Sequence, residues 1–212
     1  IASFILRQGD ETMSGSKKVL TTKFIANVAI LSAVAFVLMM FDFPLLFIAP
    51  SFYKLDFSEV SVLIGGFAFG PWAAVLIEAV KIILKLLFKP TETMFVGELA
   101  NFIIGIAFTV PAAIIYRKEK SKKNALLGMI VGTLVMAVVG ILANYFVLLP
   151  FYSNLYGMPI DTFVKMGAAI FPFIKSVWGL LFVCVLPFNL IKGFVVSVIT
   201  RLLYKRISSF LH

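Results

Sequence analysis

The chain has 212 residues, 61% apolar and 14% charged, with 19 basic against 10 acidic side chains for a formal charge of +9. A soluble domain of this length would carry roughly a quarter charged residues, so the composition suits lipid rather than water. The length accommodates one domain of about six spans of ~20 residues with short connections, leaving no room for a separate catalytic or nucleotide-binding domain.

The basic residues sit in short clusters beside apolar runs, where they fix membrane orientation and meet anionic lipid heads. No soluble basic face exists to grip phosphates, so nucleic acid is not an expected partner. Cys184 is the only cysteine and His212 the only histidine. That pair of counts excludes an intrachain disulfide, a Cys/His metal site and Ser-His-Asp chemistry.

In chain order, residues 1–16 form a mixed segment, polar towards its end, that is expected to be poorly ordered. Residues 17–212 are expected to form a single transmembrane domain. A first span is predicted over 20–40, preceded by Lys17, Lys18 and Lys23. The segment 41–56 (FDFPLLFIAPSFYKLD) contains two prolines, which forbid a regular helix, yet it is rich in Phe, Leu and Ile. Such a loop must pack against the bundle or a ligand. A short helix over 57–69 and a break at Gly70-Pro71 follow, Pro71 being suited to open the third helix over 71–88. After a polar turn, KPTETM (89–94), a fourth span covers 95–116. The charged loop RKEKSKK (117–123) leads to a fifth over 125–149. An aromatic connection over 150–163 with a short helix to 170 precedes the last helix, 172–203, with a kink expected at Pro187.

With both termini inside, the inner side holds eleven basic residues: Lys17, Lys18, Lys23, Arg117, Lys118, Lys120, Lys122, Lys123, Arg201, Lys205 and Arg206. The outer connections hold three, Lys54, Lys89 and Lys165. This asymmetry places the proline-broken, aromatic connections outside. The predicted architecture is an all-α, multi-pass bundle of six transmembrane helices with a structured outer loop between the first two.

Charged and amide side chains within spans are functional candidates by default. Glu78 and Lys81 either neutralise each other at i,i+3 or meet a ligand; Lys85 is read as snorkelling outward. Glu98 and Asn101 lie in the fourth span, where Gly97, Asn101 and Gly105 make a small, polar stripe at steps of four. Asn144 either anchors a neighbouring helix or touches a ligand. Asn189 and Lys192 share one face of the last helix and are read as ligand contacts, since a mid-span Lys needs a partner. A neutral polyol suits this lining, because amides donate and accept while an ammonium donates. Gly128/Gly132 is read as internal helix packing. Ala29/Ala33, with Ala26 nearby, serves either packing or a partner protein.

The stretches PLLFIAPSFYKLDFSEVSVLIGGFAFGP (44–71), VGELANF (96–102) and NLIK (189–192) resemble the riboflavin-specific substrate-binding component of energy-coupling factor transporters, over essentially the whole chain from Lys17. The resemblance implies a six-helix bundle in a bacterial cell membrane that binds riboflavin near the outer face as transported ligand, with no resident cofactor. It also implies separate partner chains, a transmembrane coupling protein and two cytoplasmic ATPases, with Ala26, Ala29 and Ala33 docking on the coupling protein. Leu46, Phe47, Ile48, Ala49 and Pro50 would contact the isoalloxazine ring, beside Tyr53 and Lys81. Asn144, Asn189 and Lys192 would bond the ribityl chain or ring edge, with Gly97, Glu98 and Asn101 bordering the site. Ser61 departs from the family pattern, which places proline there. The alternatives are a relative specific for another vitamin or for flavin mononucleotide, an intramembrane enzyme using Glu78 or Glu98 as base, and a structural scaffold. No Gly-Lys dipeptide occurs, so the chain has no P-loop of its own.

Overall fold

The computed structural model describes residues 21–211, without the side chains of 205–211. The expected segment 1–16, Lys17, Lys18 and His212 lie outside the described residues, as do the side chains of Lys205 and Arg206.

Helix α1, Thr22–Met40, begins where the Thr21 hydroxyl accepts from the Phe24 amide at 3.2 Å. It ends before a feature the all-helical reading did not anticipate. Phe43–Pro44 (β1) and Lys54–Leu55 (β2) pair antiparallel, pinching 41–56 into a hairpin. Pro44 tolerates this because so short a ladder needs little from its missing N–H. Helix α2, Ser58–Phe69, is 12 residues long and stops at Gly70, whose φ of 99° suits glycine. Pro71 then opens α3, Pro71–Phe88, as expected.

Helix α4, Val96–Lys118, and helix α5, Lys122–Tyr156, are joined by the basic loop. The prediction ended the fifth helix at 149; it continues through Pro150. A wider π turn at Asn144–Leu148 precedes that proline. Opening the turn accommodates the clash and lost N–H that would otherwise end the helix. Helix α7 repeats the device: Val177–Leu180, a π turn at Leu181–Val185, then Leu186–Leu211 across Pro187. A short helix, α6 (Ile160–Ala168), lies between α5 and α7. Lys175, assigned by sequence to the last helix, falls in the connection before Val177, which adds a fourth basic residue to the three expected in the connections opposite the basic loop.

Among the described residues, four helices are long and apolar enough to cross a bilayer: α1, α4, α5 and α7 over Val177–Tyr204. Only 28% to 39% of their most apolar stretches is buried within the bundle, so most of an apolar surface faces outward, as lipid requires. Helix α3 has comparable length but carries Glu78, Lys81 and Lys85.

The core has two parts. One, including Leu31, Leu63, Phe67, Ile77, Phe108 and Met136, joins α1 to α5 and α7. The other lies under the hairpin and includes Tyr53, Leu55, Phe163, Leu180 and Phe188. Helices α4 and α5 approach closely because Gly128 and Gly132 have no Cβ to meet the Ala112 and Phe108 carbonyls, the internal packing read from their spacing. Ala26, Ala29 and Ala33 instead lie exposed on α1.

Candidate functional site

Under the hairpin lie two adjoining cavities. The outer, of about 550 Å³, is bounded by the hairpin, the 89–93 turn, the start of α4 and the 152–166 region. The inner, of about 150 Å³, reaches Glu59, Asn144, Phe188 and Lys192. Phe52, Lys54, Gly97, Asn101 and Tyr152 line both. Gly97 and Asn101 begin α4, whose other end carries the basic loop. Twenty-odd residues of helix separate them, roughly 30 Å at 1.5 Å per residue. The cavities and the basic cluster therefore occupy opposite ends of the bundle.

The inner wall is polar and tightly bonded. Tyr53 donates its hydroxyl to Asn144 Oδ1 at 2.6 Å, while Asn144 Nδ2 donates to the Gly140 carbonyl at 2.8 Å. Lys192 Nζ donates to Asp56 Oδ2 at 3.1 Å and Glu59 Oε1 at 3.2 Å. Asp56, between the hairpin and α2, also accepts from the Ser58 amide and hydroxyl. Burial opposes its charge, but the Lys192 and Lys81 ammoniums and the Ser58 bonds outweigh burial and hold its carboxyl well below the usual range. The expectation that Lys192 lacks a protein partner is thereby corrected. Its partners are acids more than 130 positions earlier in the chain, a separation that no local pattern reveals. An ammonium has three donors, and these bonds use two, leaving one for the cavity.

Lys81 lines neither cavity. It sits 2.5 Å from Glu78 Oε1, the i,i+3 neutralisation read from sequence, and donates to Ser58 Oγ at 3.0 Å. Lys85 does not snorkel freely: it bonds Glu98 Oε1 at 2.6 Å with its side chain 20% exposed. Glu98 Oε2 accepts from Thr91 and Thr93 at 2.9 and 3.0 Å. The intervening turn holds Met94 and Phe95 at φ of 46° and 69°, left-handed values that are uncommon outside glycine.

Of the remaining residues expected at the site, Gly97, Glu98, Asn101, Tyr53, Asn144 and Lys192 come together on the cavity walls. Asn189 lies one turn from Lys192 but donates its amide to the Val185 carbonyl at 2.9 Å, against Gly140. Leu46 and Phe47 point outward, 60% and 71% exposed, while Ile48 and Ala49 pack into the core beneath the hairpin, and Pro50 is buried. None of these five lines either of the two cavities. Sequence reasoning missed Phe52, Asp56, Glu59 and Tyr152. The acids looked like ordinary loop and first-turn residues, and the aromatics were lost among 23 Phe and 6 Tyr.

Across residues 23–204 the chain matches the family model "ECF transporter, substrate-specific component". The chain belongs to this family. It is 37% identical over 201 residues to the riboflavin transporter RibU of Staphylococcus aureus (strain TCH60), covering 94% of this chain and 98% of that one. It is 33% identical over 183 residues to the riboflavin transporter FmnP of Bacillus subtilis (strain 168), covering 86% and 90%. A solved S component of a bacterial ECF transporter superposes with a TM-score of 0.68 at 38% identity, covering 89% of this chain and 97% of that one. These relatives are transport proteins, which agrees with the expectation that the chain is not an enzyme.

Proposed function

We propose that this ECF substrate-specific component captures riboflavin from the side opposite its basic end and delivers it inward with separate coupling and ATPase subunits. The observation that carries the proposal is the pair of cavities, joined across shared aromatic and amide walls. The outer volume lies within the ~300–1,000 Å³ typical of small-molecule sites. Phe52 and Tyr152 supply flat apolar surface for a ring system. The free donor of Lys192 faces hydroxyls, and so does Asn101 Oδ1, buried on a wall of both cavities with no protein donor. A guest bearing both a flat ring and a polyol chain satisfies these groups together. The relatives' riboflavin assignments point to the same guest.

On this reading, α1–α5 and α7 form the six-helix transmembrane bundle, the 12-residue α2 crossing only part of the bilayer. Helix α3 spans despite carrying Glu78, Lys81 and Lys85 because all three side chains face partners inside the bundle rather than lipid. Both termini then lie on the cytoplasmic side with the basic loop. The exposed Ala26/Ala29/Ala33 face serves the coupling protein, since small side chains allow close helix approach.

Titrating the purified protein with riboflavin tests the proposal through quenching of flavin fluorescence. Saturable, stoichiometric quenching supports it. Absence of quenching, or its prevention by an equimolar amount of an unrelated, non-fluorescent vitamin, overturns it. Competition by flavin mononucleotide alone would shift the assignment to the phosphorylated flavin.

A further inference from the structure

Behind the inner cavity, five ionisable side chains form one continuous buried cluster. Glu59 Oε1 lies 3.6 Å from Lys81 Nζ and 3.2 Å from Lys192 Nζ. Asp56 adjoins Lys192, and Glu78 adjoins Lys81. No member is more than 6% exposed. Three carboxylates therefore share two ammoniums, an excess of one negative charge within a bundle surrounded by hydrocarbon. An uncompensated charge in such a place is costly enough that the group neutralises instead.

The bonding pattern selects the carboxyl concerned. Asp56 accepts from the Ser58 amide at 2.9 Å, the Ser58 hydroxyl and Lys192. Glu59 accepts from Lys192 and lies beside Lys81, so two ammoniums face it; the Ser58 hydroxyl 3.3 Å from its Oε2 is already given to Asp56. Glu78, fully buried, has only Lys81 beside Oε1, without hydrogen-bond geometry, and Oε2 has no protein donor among the described residues. The elements packed on α3 offer it nothing else. Helix α1 has no ionisable residue between Phe24 and Phe41. Helix α2 presents the anion Glu59. Helix α4 presents Gly105, where a Cβ would strike the Glu78 carboxyl, and its Glu98 two turns away is held by Lys85, Thr91 and Thr93. Lys192 of α7 is committed to Asp56 and Glu59.

We infer that this cluster is a proton-binding site, with one proton residing on Glu78 and making the five-residue cluster neutral. Because Glu59 and Lys192 also line the inner cavity, the proton stabilises the wall against which a solute binds. Stripping it at alkaline pH returns the unbalanced charge to the interior. Folded protein that holds more protons than unfolded protein loses stability as pH rises.

Infrared spectroscopy of the parent protein in lipid nanodiscs tests this directly. At neutral pH a protonated-carboxyl carbonyl band is expected. It should shift on ¹³C-glutamate labelling, disappear at alkaline pH, and be absent from Glu78→Gln. Thermal unfolding of the parent should decline towards alkaline pH, whereas Glu78→Gln should unfold at the parent's neutral-pH temperature and keep it across that range. Absence of the band in the parent, its persistence in the variant, or failure of Glu78→Gln to fold would each overturn the assignment, since a neutral isostere should suffice. The same holds if sodium, rather than pH, governs unfolding. These readouts need no ligand, so failure of riboflavin binding leaves them intact.

Discussion

Replacing Lys192 with Met keeps the length and apolar stem of the side chain and removes its ammonium. Two buried bonds vanish, to Asp56 at 3.1 Å and Glu59 at 3.2 Å. Removing one partner of a buried ion pair typically costs about 3–5 kcal/mol, because the other charge stays behind uncompensated. Here the residue left behind is partly served: Asp56 keeps both Ser58 bonds, and Glu59 keeps Lys81 at 3.6 Å. The lower figure of about 3 kcal/mol is therefore expected. At about 2–4 °C per kcal/mol for a chain of this size, the melting temperature should fall by roughly 6–12 °C. Lys192 also holds the donor facing the cavity, and a hydrogen bond from a charged group is worth about 1.5–3 kcal/mol, so riboflavin affinity should fall roughly ten- to 150-fold. Thermal unfolding in detergent and flavin fluorescence titration measure the two effects separately. The double variant Asp56→Asn/Lys192→Met should recover most of the stability and none of the affinity. A single variant that melts with the parent and binds riboflavin equally well would refute both the ion-pair account and the site.

Tyr53→Phe should destabilise the folded protein by about 1 kcal/mol, measured by chemical unfolding, because it deletes the one side-chain bond from the hairpin to Asn144 while leaving the ring in place. Gly105→Ala should cost about 1–3 kcal/mol in the same assay, since the new methyl meets the Glu78 carboxyl; Gly157→Ala, with open space around it but φ of 62°, should cost less. Ala33→Leu on the exposed face of α1 should leave melting temperature and riboflavin titration unchanged while abolishing riboflavin uptake by cells that contain the partner subunits.

Much of the bundle was legible in the residues. Runs such as 24–40 have no ionisable group, and at that length only a membrane helix satisfies every backbone polar group in an apolar setting. Gly70-Pro71 marked its break through local chemistry alone, and the start of α3 followed. The Gly128/Gly132 spacing announced close packing because helical periodicity puts both glycines on one face. The same periodicity paired Glu78 with Lys81. Where a helix met proline, local rules misled: 149 looked like an end because the π turn before Pro150 depends on how the whole helix is held by its neighbours.

Partnership across the bundle was decided only by the tertiary structure. Lys192 finds Asp56 and Glu59, and Asn144 finds Tyr53 from 91 residues away. Lys85 turns inward to Glu98 rather than out to the surface. Sequence set which polar groups enter the membrane and on which helical face. The packing of α2, α3 and α7 set which of them neutralise one another and which keep a donor or acceptor facing the cavities. Electrostatic and hydrogen-bond energies depend on distances of a few ångströms in space, and separation along the chain does not encode those distances.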